Sequence, residues 1–269
     1  SVVPPPQIAN AVALNSLQFN LSRAIGPAVA GVLLARGGTG ACFVVNVVSF
    51  MAVVIALLRI ELPPPAPRRD TLGESLAEGL RHVRSSPPLR LYTGMGLLGS
   101  FLAFPLITYL PVVAGDVLRT GAAGYSALLS SFGAGAVGGA VATAHKGSRP
   151  GRGRRMMAAF VGYSVCTIGA VLSPHQWVAM ALLFIGGWSL VSGFSTLISL
   201  VQENAADELK GRIMSIYGVA FRGGMPLGSL VAGLLARHLG APTVIASFSA
   251  LLALLCGWAW FRQPRLRAV

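Results

Sequence analysis

Apolar runs alternate with short polar joints along this chain. Eight of them can be drawn: Ala13 to Ala35, Ala41 to Leu58, Leu91 to Ala114, Ala122 to Ala144, Met156 to Leu172, Trp177 to Val201, Ile213 to Ala236 and Pro242 to Phe261. A helix needs roughly 20 residues to cross about 30 Å of hydrocarbon, and these runs are of that order. Strict apolar and polar alternation, the mark of a membrane barrel strand, is absent from them, and backbone polar groups in lipid must find partners within their own segment. The pattern therefore predicts an all-α, polytopic membrane protein with eight transmembrane helices.

The joint between the second and third runs is longer and differs in kind. Pro63, Pro64, Pro65 and Pro67 stiffen its start. The segment Asp70 to Ser85 then has a helix start signal in Thr71 with Glu74 three residues on, and apolar Leu72, Leu76, Leu80 and Val83 at helical spacing. This predicts an amphipathic helix lying on the membrane face. The expected organisation is two transmembrane helices over residues 1–60, a linker carrying the amphipathic helix over 61–90, and a six-helix bundle over 91–269.

Composition agrees with the pattern. Of 269 residues, 54% are hydrophobic and 11% charged, where a soluble domain carries about a quarter charged residues; mean hydropathy is +0.69. The formal net charge of +13 raises the possibility of a nucleic-acid partner, and the placement of the basic residues argues against it. With the N-terminus taken as cytoplasmic, sixteen of the 21 Lys and Arg fall in cytoplasmic joints, three (Arg36, Arg119, Arg237) on the other side, and two (Arg23, Arg222) inside spans. That asymmetry is the positive-inside bias, and it puts both termini in the cytoplasm. The basic run Lys146 to Arg155 has no aromatic residue interleaved, so it reads as a joint that holds orientation rather than as a surface for nucleic acid.

Catalytic chemistry finds little to stand on. Cys42, Cys166 and Cys256 are far apart and each lies in an apolar run, as small packing residues do. His82, His145, His175 and His238 sit in joints or at run edges, with no carboxylate or cysteine at ligand spacing. No enzyme, metal site or cofactor is expected.

The polar residues inside the spans carry the functional expectation. Arg23 lies midway along the first run, and Asn20 and Ser16 share its helix face, three and seven residues back. An arginine at a helix centre costs roughly 2.5–3.5 kcal/mol on insertion scales, so it should face a cavity or a partner. On the same helix Ser22, Gly26, Ala30 and Gly31 permit close approach of a neighbour, while Pro27 bends the chain; a hinge or seal and simple tight packing both fit. No Asp or Glu lies inside a span, so Arg23 and Arg222 pair either with acids elsewhere or with an anionic substrate. In the bundle, Tyr109 with Thr108 lies between Pro105 and Pro111, which should distort that helix; Trp188, Ser189 and Ser192 form a polar-aromatic patch. Each lines a cavity or packs in the core.

Sliding the chain on itself by 199 residues superposes Arg23 on Arg222, Pro27 on Pro226 and Ser16 on Ser215, and a three-residue gap brings Ala30 to Arg36 onto Ala232 to Arg237. A unit repeating after six helices is a duplicated six-helix bundle. The first span is then the fifth helix of one half, and four further helices are expected to precede it.

The stretch Arg23 to Gly31, followed by Ala41 to Leu58, resembles helices five and six of the major facilitator superfamily, in its multidrug and siderophore exporter branch. Glu74 to Arg90 is similar to that branch's central loop and Glu203 to Ser215 to its joint between helices ten and eleven. The fifth-helix antiporter motif is matched at Gly26, Pro27 and Gly31, with Ala13, Ser22 and Ala30 in place of glycine. The resemblance implies helices 5–12 of a twelve-helix fold in a bacterial inner membrane. It implies a monomeric, alternating-access carrier that exports a small molecule such as a drug or siderophore by proton exchange. The partners expected are that substrate, the lipid bilayer and the four preceding helices. A non-transporting membrane scaffold or subunit of a larger complex, with arginines paired between subunits, is the alternative reading.

Overall fold

A computed structural model describes residues 33, 37–38, 40–59, 72–146, 151–206 and 209–262. The chain divides into two compact units, Ser1–Thr71 and Leu72–Val269. The expected first span, with Ser16, Asn20, Ser22, Arg23, Gly26, Pro27, Ala30 and Gly31, lies outside the described residues, as do the proline-rich joint and Thr71. Among the described residues of the first unit, α1 (Gly40–Leu58) is long and apolar enough to cross a membrane. It carries large apolar side chains such as Phe43, Val47, Phe50 and Leu57 exposed, the composition of a helix that belongs in lipid.

The second unit holds α2 (Leu72–Ser85), α3 (Pro87–Ala103), α4 (Pro105–Val112), a π-helical turn (Val113–Val117), α5 (Gly121–Lys146), α6 (Arg152–Leu172), α7 (Gln176–Asn204), α8 (Lys210–Leu239) and α9 (Ala241–Arg262). Counting α3, α4 and the π turn as one span, seven described helices are long and apolar enough to cross a membrane, and no strand occurs among the described residues. The protein is an all-helical, multi-pass membrane protein. Each of the last seven predicted runs coincides with a helix. At the basic end of the bundle the helices outrun the apolar runs: α6 starts at Arg152 rather than Met156, and α8 at Lys210 rather than Ile213. The backbone ladder continues where the side chains turn polar, because both added turns are tied by carboxylates. Arg152 pairs with Glu203 through both guanidinium nitrogens, joining α6 to the end of α7, and Arg212 pairs with Glu78, joining α8 to α2.

The amphipathic α2 buries Gly79 and Val83; a Cβ on Gly79 would lie 2.8 Å from Ile216 and 3.3 Å from Arg212, both on α8. The third span begins on Pro87 and Pro88, which suit a first helical turn because its amides have no partner to lose. It breaks at Phe104, where Pro105 has no N–H to offer the carbonyl of Phe101, and its last turn widens to π geometry after Pro111. The distortion read from Pro105 and Pro111 is thus observed.

Four pairings build the core: α5 on α7, α6 on α7, α6 on α9, and α3 on α8. Glycine makes the first and the last possible. A Cβ on Gly135 would lie 1.8 Å from the Phe184 carbonyl oxygen, on Gly139 2.2 Å from that of Trp188, and on Gly187 2.0 Å from that of Phe132, so α5 and α7 touch backbone to backbone. A Cβ on Gly228 would come within 1.9 Å of the Phe101 carbonyl oxygen, the one Pro105 leaves without its helical donor. Without a hydrophobic driving force between helices in lipid, such small-residue contacts hold the bundle. Cys166 and Cys256 are buried thiols, as small packing residues are.

Candidate functional site

A polar stripe runs along one face of α8. Ser215, Arg222 and Ser229 recur at seven-residue intervals and so share a helix face. Ser215 and Arg222 are exposed and Ser229 is half-buried. Arg222 lies about 18 Å of helix rise from Lys210 and about 26 Å from Leu239, well inside the span. Among the described residues no carboxylate pairs with it. Pro226, four residues on, has no N–H for the Arg222 carbonyl, so one helical rung is open at the cation itself.

The two ends of the stripe are fixed differently. At the Ser215 end the hydroxyl donates to the Gly211 carbonyl at 2.9 Å and stays on its own helix. At the other end α4 docks: Thr108 Oγ1 and Ser229 Oγ lie 2.9 Å apart, and the Tyr109 hydroxyl donates to the Ser229 carbonyl at 3.0 Å. The structure therefore brings Tyr109, Ser215 and Arg222 to one helix.

On the buried face of α8, turned from the stripe toward α3, lies an aromatic cluster. Phe221 meets Phe194 edge-on at 4.9 Å between ring centroids and Phe104 at 5.8 Å, and stacks on Tyr217 at 6.1 Å. Phe160 meets Phe194 at 5.0 Å. Close approach of α3 to α8 makes this cluster possible, since a Cβ on Gly224 would sit 2.6 Å from the Leu97 carbonyl oxygen and one on Gly96 2.6 Å from the Tyr217 ring. α8 thus carries a cation well inside its span and two serine hydroxyls on one face, with an aromatic cluster on its buried face, chemistry compatible with an anionic or aromatic small molecule.

Trp188 and Ser192 go elsewhere, to the contact of α7 with α5. The Trp188 ring lies against Gly138, where a Cβ would be 2.6 Å away, and Ser192 Oγ donates to the Gly139 carbonyl at 3.2 Å. Ser189 is the neighbour a Cβ on Gly162 of α6 would meet at 3.3 Å. The glycines that seat these residues, within Gly133 to Ala140, and the pair Gly186 and Gly187 are a sequence signal for close helix contact that polar groups alone do not carry. The ion pairs of Arg152 and Arg212 also have a signal, since Glu78 and Glu203 are acids in joints that carry basic residues. Among the described residues no three His, Cys, Asp or Glu come together as a metal site.

Among the described residues, seven helices fit to cross a membrane and two glycine-seated helix pairings define a polytopic membrane protein. The profile of the transmembrane secretion effector family matches residues 1–269, and the chain belongs to that family, a branch of the major facilitator superfamily. It is 28% identical over 260 residues to the multidrug efflux pump Tap of Mycolicibacterium fortuitum, covering 93% of this chain and 62% of that protein. It is 29% identical over 273 residues to the enterobactin exporter EntS of Citrobacter koseri, covering 96% and 64%, and 28% identical to EntS of Shigella boydii, covering 93% and 60%. The chain thus spans about three-fifths of the length of the curated relatives it matches. These relatives are named as membrane exporters and pumps, not as enzymes.

Proposed function

We propose that the protein is a secondary active transporter that exports a small molecule, such as a drug or siderophore, by alternating access of two six-helix halves. In this reading residues 1–60 are the last two helices of the first half, 61–90 the linker, and 91–269 the second half. The protein is monomeric in a bacterial inner membrane, with both termini cytoplasmic. The names of Tap and EntS support export of such compounds, and the exchanged ion is a proton. The observation that carries the reading is Arg222: a cation deep within a span, with no carboxylate partner among the described residues, is kept where it meets a substrate or a water-filled path. Thr108, Tyr109 and Ser215 would line that path, and Arg23, Asn20 and Ser16 its counterpart in the first half. Ser22, Gly26, Pro27, Ala30 and Gly31 would form the seal between halves, and Trp188 and Ser192 would stiffen the wall.

The test is efflux of a panel of lipophilic drugs and catechol siderophores from cells carrying the whole gene. Arg222→Gln should abolish export of anionic or catechol members at unchanged protein level, and Arg222→Lys should restore part of it. Unchanged efflux in Arg222→Gln and Arg23→Gln alike would remove the substrate-anchor role. No efflux of any panel member by the wild type, with a coupling ion gradient imposed, would favour a scaffold.

A further inference from the structure

Away from the α8 stripe, a groove runs between α3 and α9 with α6 as its floor. Arg90 stands at one end, Gly94 and Leu98 form one wall, Leu255 and Trp258 the other, and Phe160 lies beneath. It opens where α3 begins and α9 ends, one turn before Arg262. We propose that this groove is a binding site for one acyl chain of an anionic phospholipid whose headgroup is held by Arg90.

Three observations choose that occupant. The groove holds about 170 Å³, less than the roughly 300–1,000 Å³ of a pocket for a drug-sized ligand, and its lining on α3 runs from Arg90 to Leu98, about 12 Å along the helix. Its lining is apolar except for Arg90, an exposed arginine that forms no ion pair among the described residues. A single cation at the mouth of a hydrocarbon slot complements a phosphate with a chain attached, and basic residues between helices at the membrane surface bind anionic headgroups. Trp258, 58% exposed near the end of α9, sits where aromatic side chains meet the headgroup level. Gly94 keeps the slot open: a Cβ there meets nothing within 4 Å.

The experiment is native mass spectrometry of the full-length protein from mild detergent, supplied with phosphatidylglycerol and phosphatidylcholine of matched chains. Wild type should retain one phosphatidylglycerol in about fivefold preference, the worth of one arginine at a lipid surface. Arg90→Gln should keep a bound lipid and lose the preference. Gly94→Leu and Leu98→Trp, which fill the slot from within, should each lose one retained lipid of either kind. Equal retention of the two lipids by wild type, an undiminished preference in Arg90→Gln, or full lipid retention in both filled variants would overturn the site. None of these readouts depends on transport.

Discussion

The Tyr109 hydroxyl donates to the main-chain carbonyl of Ser229, 3.0 Å away on the facing helix, and Gly233 one turn further on leaves the room it needs: a Cβ there would lie 2.2 Å from the hydroxyl oxygen. This contact fastens the short α4, set off by its proline break, to the long α8. Tyr109→Phe removes one hydrogen bond and should cost about 1 kcal/mol, read as a lower Tm in detergent. Gly233→Val should cost more, because the ring must leave.

Neighbouring glycines on α5 give a sharper contrast. Gly135 abuts the Phe184 carbonyl, whereas a Cβ on Gly133 would meet nothing within 4 Å. Gly135→Ala should destabilise the bundle by about 1–3 kcal/mol, the range for overpacking, while Gly133→Ala is neutral or slightly stabilising. Tm measurements of the two variants side by side check this; equal effects would show that α5 and α7 are not in backbone contact.

The Arg152 and Glu203 pair is bidentate but only partly shielded, with the two side chains 16% and 42% exposed. Such a pair contributes about 0.2–1 kcal/mol. A double-mutant cycle with Arg152→Gln and Glu203→Gln should return a coupling in that range, shrinking when the salt is raised to about 1 M. A coupling near zero at low salt would show that α6 and α7 are held by packing alone.

The proposed orientation also has its own test. In a background with Cys42, Cys166 and Cys256 replaced by Ala, single cysteines at Arg119 and Arg237 should react with a membrane-impermeant maleimide added to intact cells. Cysteines at Arg154 and Lys210 should react only after permeabilisation. The reverse pattern would turn the protein over in the membrane and refute the charge argument.

Much of the architecture was legible because lipid imposes length and polarity on each crossing. The runs ending at Leu58 and Leu172 match their helix ends residue for residue, and the proline pair around Thr108 marked a span that is broken. The internal repeat also singled out Ser215 and Arg222 as the counterparts of Ser16 and Arg23. Less legible was which helix each polar group would meet. Tyr109 and Trp188 both read as polar aromatics in a span, yet one grips α8 and the other rests on the glycines of α5. The difference lies in the partner helix, and spacing within one helix carries no information about that. The ends of α6 and α8 were underestimated for a related reason: a hydropathy pattern stops where charge begins, whereas the hydrogen-bond ladder does not.

Phe101 and Arg222 are each left by a proline four residues ahead with a carbonyl that their own helix does not claim, and they sit on the two helices, α3 and α8, that touch through Gly224 and Gly228. A rod lacking one internal tie yields there before it yields elsewhere. With the weak rungs flanking a contact made of glycine, the two rods can bow in concert while their seam stays closed, which gives the second unit a built-in elastic joint at the level of Arg222.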